Sequence, residues 1–88
     1  MEFEWDEVKR ATTIHKHGID FVEAIEIFRT DHVILPGRSE VERRSVAVGM
    51  FDGRFVAVVF TMRGTKIRIV TARKARRNER AEYHARHP

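Results

Sequence analysis

Two features are missing from this sequence. It contains no cysteine, which excludes disulfides and thiolate metal sites and agrees with a cytoplasmic location. It also contains no apolar run that approaches the length of a membrane span, and the acidic residues 1–7 do not resemble a secretory signal. We therefore expect a cytoplasmic protein that is not inserted in a membrane.

The length and composition predict one small folded domain, residues 1–88. Hydrophobic residues make up 42% of the chain and charged residues 34%, a balance typical of globular proteins and without the signature of disorder. The sequence pI of about 10.1 indicates an acidic partner: nucleic acid, an acidic protein or an anionic membrane surface. The membrane is the weakest of the three, because no segment combines a broad apolar face with a basic one.

Acidic residues are scarce where the basic residues concentrate. Between Thr61 and Arg80 only Glu79 is acidic, and the local charge balance is +7 against +4 for the whole chain. The eight basic residues there are Arg63, Lys66, Arg68, Arg73, Lys74, Arg76, Arg77 and Arg80. The longer stretch Phe55–Arg80 reads as two strands joined at Arg63-Gly64-Thr65, followed by a basic helix. A hairpin with this much positive charge predicts a phosphate-binding surface.

The first twenty residues predict a strand followed by a helix. Phe3 and Trp5 alternate with acidic residues, which is typical of a short edge strand with its aromatic side chains turned inward. Asp6 is a good N-cap for a helix from Glu7 to about His17, and Gly18 is a natural residue to end it.

A second, more clearly amphipathic helix is predicted next. Asp20 and Glu23 form a capping-box-like start, and the helix should end near Arg29. Its apolar face consists of Phe21, Ala24, Ile25 and Phe28, at helical spacing.

The middle of the chain predicts strands. Val33–Leu35 is a short strand or a strand-like loop, and alternation predicts a strand over Arg44–Phe51. Asp52-Gly53 is a strong hairpin-turn signal. The most apolar run, Arg54–Met62, should be a central strand, and Lys66–Thr71 should pair with it.

These elements predict an α+β fold. Between Thr71 and Asn78 the composition becomes helical, and we expect a last helix that runs to about His84. The order of elements predicts an antiparallel sheet of three to four strands, with two N-terminal helices packed on one face and a C-terminal helix. Ile67 and Ile69 should face the helices, and the open face of the sheet should be basic.

A series of short motifs, in this order and at these spacings, resembles the BrnT toxin family over nearly the whole chain. The motifs are Phe3-Glu4-Trp5-Asp6-x-x-Lys9, Lys16-His17-Gly18-Ile19, Phe21-x-x-Ala24, Glu42-Arg43, Gly49, Val59-Phe60-Thr61-x-Arg63-Gly64, Arg68-Ile69-Val70-Thr71-Ala72-Arg73, Glu79-Arg80 and Tyr83.

The resemblance implies a fold similar to the RelE-type ribonuclease toxins. It also implies the toxin of a type II toxin–antitoxin system, an endoribonuclease that cleaves RNA and inhibits translation and growth. The expected partner is a BrnA-like, DNA-binding antitoxin encoded beside the toxin, through which the complex contacts its operator DNA.

Metal-free cleavage of RNA through the 2′-OH needs a base, an acid and cationic donors for the charge on the phosphate. We expect Arg63 and Arg68 to stabilise the transition state, His17 to transfer protons, Lys16 to contact phosphate and Glu42 to act as a base. Each has a structural alternative. In that alternative, the arginines form a solvated face paired with glutamates, and Glu42 is a salt-bridge partner. Lys16 and His17 are then cations that interact favourably with the C-terminus of a helix.

A second set of residues is predicted to bind RNA phosphates: Arg43, Lys66, Arg73, Arg76, Arg77, Arg80 and Tyr83. Structural alternatives stay open here as well. Arg73 would tie the strand end to the last helix, the helix arginines would be solvated, and Tyr83 would pack. No histidine or carboxylate set falls at metal-ligand spacing, so we expect no metal site and no cofactor.

A non-catalytic module that binds nucleic acid or an acidic protein is the alternative function. The same charge supports it, and the sequence contains no fixed acid–base pair. Turnover separates the two, because a binding module retards RNA in a gel without shortening it, with an affinity that depends on salt.

Overall fold

The fold consists of one mixed sheet with helices on both of its faces. The computed structural model describes residues 1–38 and 43–88, and within these ranges it contains five strands and three α-helices. The strands are β1 (Glu2–Trp5), β2 (His32–Pro36), β3 (Ser45–Phe51), β4 (Arg54–Arg63) and β5 (Lys66–Lys74). The helices are α1 (Glu7–His17), α2 (Phe21–Ala24) and α3 (Arg77–Arg86), with a 3₁₀ helix at Ile25–Arg29.

The strands β2 to β5 form an antiparallel meander, in which β3 to β5 are the three strands that the sequence predicts and β2 covers the segment left open as a strand or a strand-like loop. The order in the sheet is β1-β5-β4-β3-β2. Asp52 and Gly53 join β3 to β4, and both have positive φ angles, 51° and 74°. This backbone matches the right-handed twist of the flanking strands and favours Asp-Gly.

The expected sheet of three to four antiparallel strands is wrong in two respects. The described residues form five strands, and β1 runs parallel to β5, with Phe3 beside Ile67 and Trp5 beside Ile69. The alternation in β1 indicates which side chains turn inward but contains no information about the partner strand. Burial of the two aromatic rings selects that partner: Trp5 meets the ring of Phe21 at a centroid distance of 6.0 Å.

The predicted caps of α1 are confirmed. The carboxylate of Asp6 accepts a hydrogen bond from the Val8 backbone N–H at 2.8 Å. At the other end, Gly18 has a φ of 68°, and its N–H donates to the Ile14 carbonyl at 2.8 Å. A left-handed residue here costs little because glycine has no Cβ. The chain therefore turns sharply toward α2.

The second predicted helix is present, but its winding changes after one turn. Its start is tied to α1, because the Arg10 guanidinium donates to both carboxylate oxygens of Asp20, at 2.8 and 2.9 Å. These hydrogen bonds hold the pKa of Asp20 below its ordinary value. After Ala24 the backbone tightens into the 3₁₀ helix, in which Ile27 and Phe28 are both buried.

Two apolar cores lie on opposite faces of the sheet. The larger core packs α2 and the 3₁₀ helix against Val56, Val58, Phe60, Ile67, Ile69 and Ala72. The smaller core contains Val33, Val46, Val48, Ala57 and Ala75, with Tyr83 of α3 packed against it. The inward orientation of Ile67 and Ile69 is confirmed. The second face is only partly open, because α3 covers its β2–β3 side.

The transition from β5 to α3 comes later than the sequence predicts. The composition after Thr71 is helical, yet β5 continues to Lys74, which pairs with Val56 of β4. Tertiary pairing therefore overrides local preference here. The helix begins at Arg77.

In the described ranges, no helix has the length and apolar character needed to cross a membrane.

Candidate functional site

A groove of about 710 Å³ lies on the second face of the sheet, beside the start of α3. Its floor is formed by side chains of three neighbouring strands, Val46, Val59 and Thr71. One wall is the chain around Gly37 and Arg38 that follows β2, and the opposite wall is α3. Five arginines line the groove: Arg38, Arg44, Arg73, Arg76 and Arg86.

One of these arginines is bound to a glutamate of the opposite wall. The Arg73 guanidinium donates to both oxygens of Glu79, at 2.8 and 2.9 Å. Glu79 also accepts a hydrogen bond from the Arg76 backbone N–H at 2.7 Å. The bonds from Arg73 are the main reason that the pKa of Glu79 lies below its ordinary value. This structure supports the structural alternative for Arg73.

Three other arginines leave their guanidinium groups available to a ligand. Within the described ranges, Arg38, Arg76 and Arg86 form no side-chain ion pair, and all three are exposed. A guanidinium group presents planar pairs of N–H donors that match the oxygens of a phosphate. The groove can therefore bind a phosphodiester without first breaking an ion pair of these three residues.

The basic row of β5 continues from the groove along the same face. Thr71 in the floor pairs with Val59, and the next pair on this face is Arg68 with Thr61, followed by Lys66 with Arg63. Successive residues on one face of a strand are about 7 Å apart. The structure therefore brings Arg63, Lys66 and Arg68 into line with the groove.

Acidic residues of β1 lie beside this row. Arg68 Nη1 is 2.6 Å from Glu4 Oε2, and Lys66 Nζ is 3.9 Å from Glu2 Oε2. The parallel register places each acid opposite its base. Of the two pairs, only that of Arg68 is half-buried and short.

His17 and Lys16 are not part of this site. Both are exposed at the end of α1, and His17 lines a separate cavity together with Arg54. Arg54 and Arg63 are the two ends of β4, which at about 3.3 Å per residue are about 30 Å apart. His17 cannot therefore act on the same phosphate as Arg63.

The remaining predicted residues are distributed over several places. Tyr83 packs its ring edge-to-face on Phe55, with the centroids 5.2 Å apart, which supports its packing alternative. Arg77 is exposed at the start of α3, and Arg80 donates to the Ala75 carbonyl at 3.0 Å.

The two predicted residues that precede β3 are placed differently. The backbone carbonyl of Arg43, an exposed residue, accepts a hydrogen bond from the Thr61 hydroxyl at 2.8 Å. Glu42 lies outside the described residues.

Sequence reasoning missed most of the groove. Arg38, Arg44 and Arg86 belong to the β2–β3 connection and to the end of α3, far from the basic stretch that the charge count selects. Thr71 and Glu82 also line the groove. Alternation could not have found Thr71, because it places Thr71 on the face opposite Arg68; the register shift between Val59 and Phe60 brings the two onto the same face.

Among the residues that the structure describes, no group of three or more histidine, aspartate or glutamate side chains is arranged to hold a metal ion.

A comparison with known protein families agrees with the resemblance seen in the sequence. No curated protein gives a significant match to the chain. A family model described as "Ribonuclease toxin, BrnT, of type II toxin-antitoxin system" matches residues 5–79. The chain therefore belongs to the BrnT family of ribonuclease toxins.

Proposed function

We propose that this protein is a metal-independent endoribonuclease that binds and cleaves RNA in the arginine-lined groove. The observation that carries the proposal is the convergence of five arginines on a groove of about 710 Å³ in a chain that belongs to a ribonuclease toxin family. Fixed cationic donors supply the charge that a reacting phosphate needs as negative charge develops on its oxygens. We also propose that the fold is related to that of the RelE-type ribonuclease toxins.

In the reaction, phosphorus forms a bond to the 2′-oxygen of one ribose and loses its bond to the 5′-oxygen of the next. The 2′-oxygen attacks the adjacent phosphorus and loses its proton to a base, while the bond to the 5′-oxygen breaks and that oxygen takes a proton from an acid. The products are a 2′,3′-cyclic phosphate and a 5′-hydroxyl. Arg76 and Arg86, which form no ion pair within the described ranges and lie at the two ends of α3, are the donors that we assign to the reacting phosphate and its neighbour in the groove.

Two carboxylates are candidates for the base. Glu82 lines the groove and is not engaged by Arg73, whereas Glu42, the base expected from the sequence, lies outside the described residues. Arg63 at the end of β4, together with Lys66 and Arg68 of β5, extends the binding surface and contacts the neighbouring phosphates of the RNA strand.

The first experiment incubates purified protein, free of antitoxin, with RNA in excess EDTA, and determines the fragment lengths and the chemistry of the new ends. We expect 2′,3′-cyclic phosphate ends, which disappear in the Arg76→Ala/Arg86→Ala variant. The Lys9→Ala variant, which removes an exposed charge on α1, is the control and should cleave like the wild type. Circular dichroism checks that all variants are folded.

Intact but retarded RNA in this assay would support the alternative function, a non-catalytic module that binds nucleic acid or an acidic protein. Addition of translating ribosomes then separates that module from a nuclease that needs the ribosome. Cleavage that stops in EDTA and returns with added metal would contradict the metal-independent mechanism.

The antitoxin partner that the family implies is, in this proposal, a BrnA-like DNA-binding protein encoded beside the toxin. It neutralises the toxin by covering the groove or its rim, and the complex contacts operator DNA through the antitoxin. The exposed cations of the groove favour an acidic partner surface. Hydrogen exchange should show protection of β5 and α3 in the complex, whereas protection confined to α1 and α2 would contradict this arrangement.

A further inference from the structure

A second cavity, of about 570 Å³, opens between the turn after α1 and the start of β4. It is lined by His17, Ile19, Arg54, Phe55, Val56, Lys74 and Arg80. It exists because Gly18 ends α1 in a left-handed conformation, so that Ile19 turns into the core while His17 stays at the surface. The groove lining contains none of these residues.

The cavity is positively charged and contains no acidic residue. Arg54, Lys74 and Arg80 converge on it from β4, β5 and α3, and none of them forms an ion pair within the described part of the chain. Lys74 pairs with Val56 in the sheet, and Arg54 is two residues before Val56 on the same face. Arg80 is held in place by its hydrogen bond to the Ala75 carbonyl. Three like charges at one opening repel each other, and an anion bound among them relieves this repulsion.

The floor between the cations is apolar. Ile19 and Val56 belong to the larger core and are almost completely buried. Phe55 is half-buried, and its ring packs against the smaller core, edge-to-face with Tyr83 and His84, both at 5.2 Å between centroids. A ligand that fills this cavity therefore needs a flat apolar part for the floor and an anionic part for the rim. A nucleotide of a single strand has both, and its base can pack on the apolar floor and against the exposed imidazole ring of His17.

The cavity and the groove lie on either side of the junction between β5 and α3. Arg73 lines the groove and the next residue, Lys74, lines the cavity, while Arg76 and Arg80 divide in the same way at the start of α3. Arg77 is exposed between them. A chain of phosphates can follow these cations from one site to the other.

We propose that the cavity formed by His17, Arg54, Lys74 and Arg80 is a second RNA subsite, which holds a nucleotide of the strand that is cleaved in the groove. The inference rests on the proposed function, since it takes RNA as the ligand. A carboxylate of an acidic protein would satisfy the cations but would leave the apolar floor uncovered. The subsite binds and orients the strand, and its residues take no part in the bond-breaking step.

The test measures binding separately from cleavage. Fluorescence anisotropy with 2′-O-methyl RNA, which has no attacking hydroxyl, gives the affinity over a range of salt concentrations. The Arg54→Ala/Lys74→Ala variant removes two exposed cations of the cavity. We expect the slope of log affinity against log salt to fall by about 1.4, because each phosphate contact on a single strand contributes about 0.7. The matched control, Lys9→Ala/Arg29→Ala, removes the same charge elsewhere and should keep the wild-type slope.

Two outcomes would overturn the subsite. In the first, the cavity variant keeps the wild-type slope. In the second, it binds RNA normally but loses affinity for the antitoxin, which would assign the cavity to the acidic protein. Failure of the nuclease proposal is recognised separately: if unmodified RNA stays intact but the slope still falls in the cavity variant alone, the subsite stands and the cleavage mechanism does not.

Discussion

Arg73 and Glu79 form a bidentate ion pair that joins the end of β5 to the first turn of α3. The two hydrogen bonds measure 2.8 and 2.9 Å, and the side chains are only 17% and 7% exposed. Since β5 is part of the floor of the groove and α3 is its wall, this pair fixes the angle between them. Glu79 also caps the helix through the Arg76 backbone N–H, so one carboxylate determines both where α3 begins and how it is oriented.

The first prediction concerns the stability that this pair provides. Glu79→Gln keeps the shape of the side chain but leaves the largely buried Arg73 guanidinium beside a neutral amide. We expect the free energy of unfolding to fall by about 3 kcal/mol, the cost typical of breaking a buried pair from one side. Urea denaturation measures it. Glu82→Gln, at an exposed position of the same helix, is the control and should stay within about 0.5 kcal/mol of the wild type.

The second prediction concerns pH. The pKa of Glu79 and that of Asp20 both lie below their ordinary values, mainly because Arg73 and Arg10 donate hydrogen bonds to the two carboxylates. A carboxylate whose pKa is lower in the folded state contributes stability above its unfolded-state pKa, and this contribution is lost as pH falls through the folded-state pKa. The free energy of unfolding should therefore decrease below about pH 4.

Urea denaturation at a series of pH values tests this prediction. In the Glu79→Gln/Asp20→Asn variant, stability should depend less on pH across the same acidic range, since neither amide titrates there. An acid-limb slope equal to that of the wild type would show that other groups cause the loss of stability.

How much of the fold could be predicted depends on how local its cause is. The caps of α1 at Asp6 and Gly18 were correctly predicted, because a cap is set by a few neighbouring residues. The pairing of β1 with β5 was not predicted. Glu4 and Arg68 are 64 positions apart in the chain, and a period of two in a short strand fits a partner on either side.

In the candidate site, too, the features with a local cause could be predicted and those that depend on distant residues could not. The basic row of β5 could be predicted, because alternation places Lys66 and Arg68 on the face opposite Ile67 and Ile69. The groove could not, because its walls come from the chain around Gly37 and Arg38 and from α3, and their approach depends on packing in the smaller core. His17 was assigned to the same site as Arg63 because sequence gives no distance between separate elements.

The third prediction concerns Gly49 in β3. A Cβ at this position would lie 3.0 Å from the Cβ of Ile27 and 3.3 Å from the Asp31 carbonyl oxygen. Ile27 is fully buried, so the 3₁₀ helix would have to move away from the sheet. We expect Gly49→Ala to lower the free energy of unfolding by about 1–3 kcal/mol, as overpacking of a core does. Thermal denaturation measures the loss, and Met50→Ala, at the exposed neighbouring position, is the control. An equal loss of stability in both variants would contradict this explanation.

The last prediction decides whether Arg68 is a binding residue or part of a structural pair. Its guanidinium lies 2.6 Å from a Glu4 oxygen, and both side chains remain nearly a third exposed, at 30% and 28%. A pair this exposed contributes at most about 1 kcal/mol to stability. In the binding role, Glu4 competes with phosphate for Arg68, so Glu4→Gln should raise the affinity for 2′-O-methyl RNA about fivefold, corresponding to about 1 kcal/mol. Arg68→Ala should lower that affinity by a similar factor.

The two roles differ in the sign of these effects. If Arg68 binds phosphate, removal of either partner lowers stability slightly, but the two variants change RNA affinity in opposite directions. If the pair is only structural, both variants lose the same small stability and bind RNA as the wild type does. Glu23→Gln removes an equal charge from an exposed position on α2 and corrects for the general effect of net charge. A rise in affinity in Glu4→Gln beyond this control, together with a fall in Arg68→Ala, therefore assigns Arg68 to the RNA-binding surface.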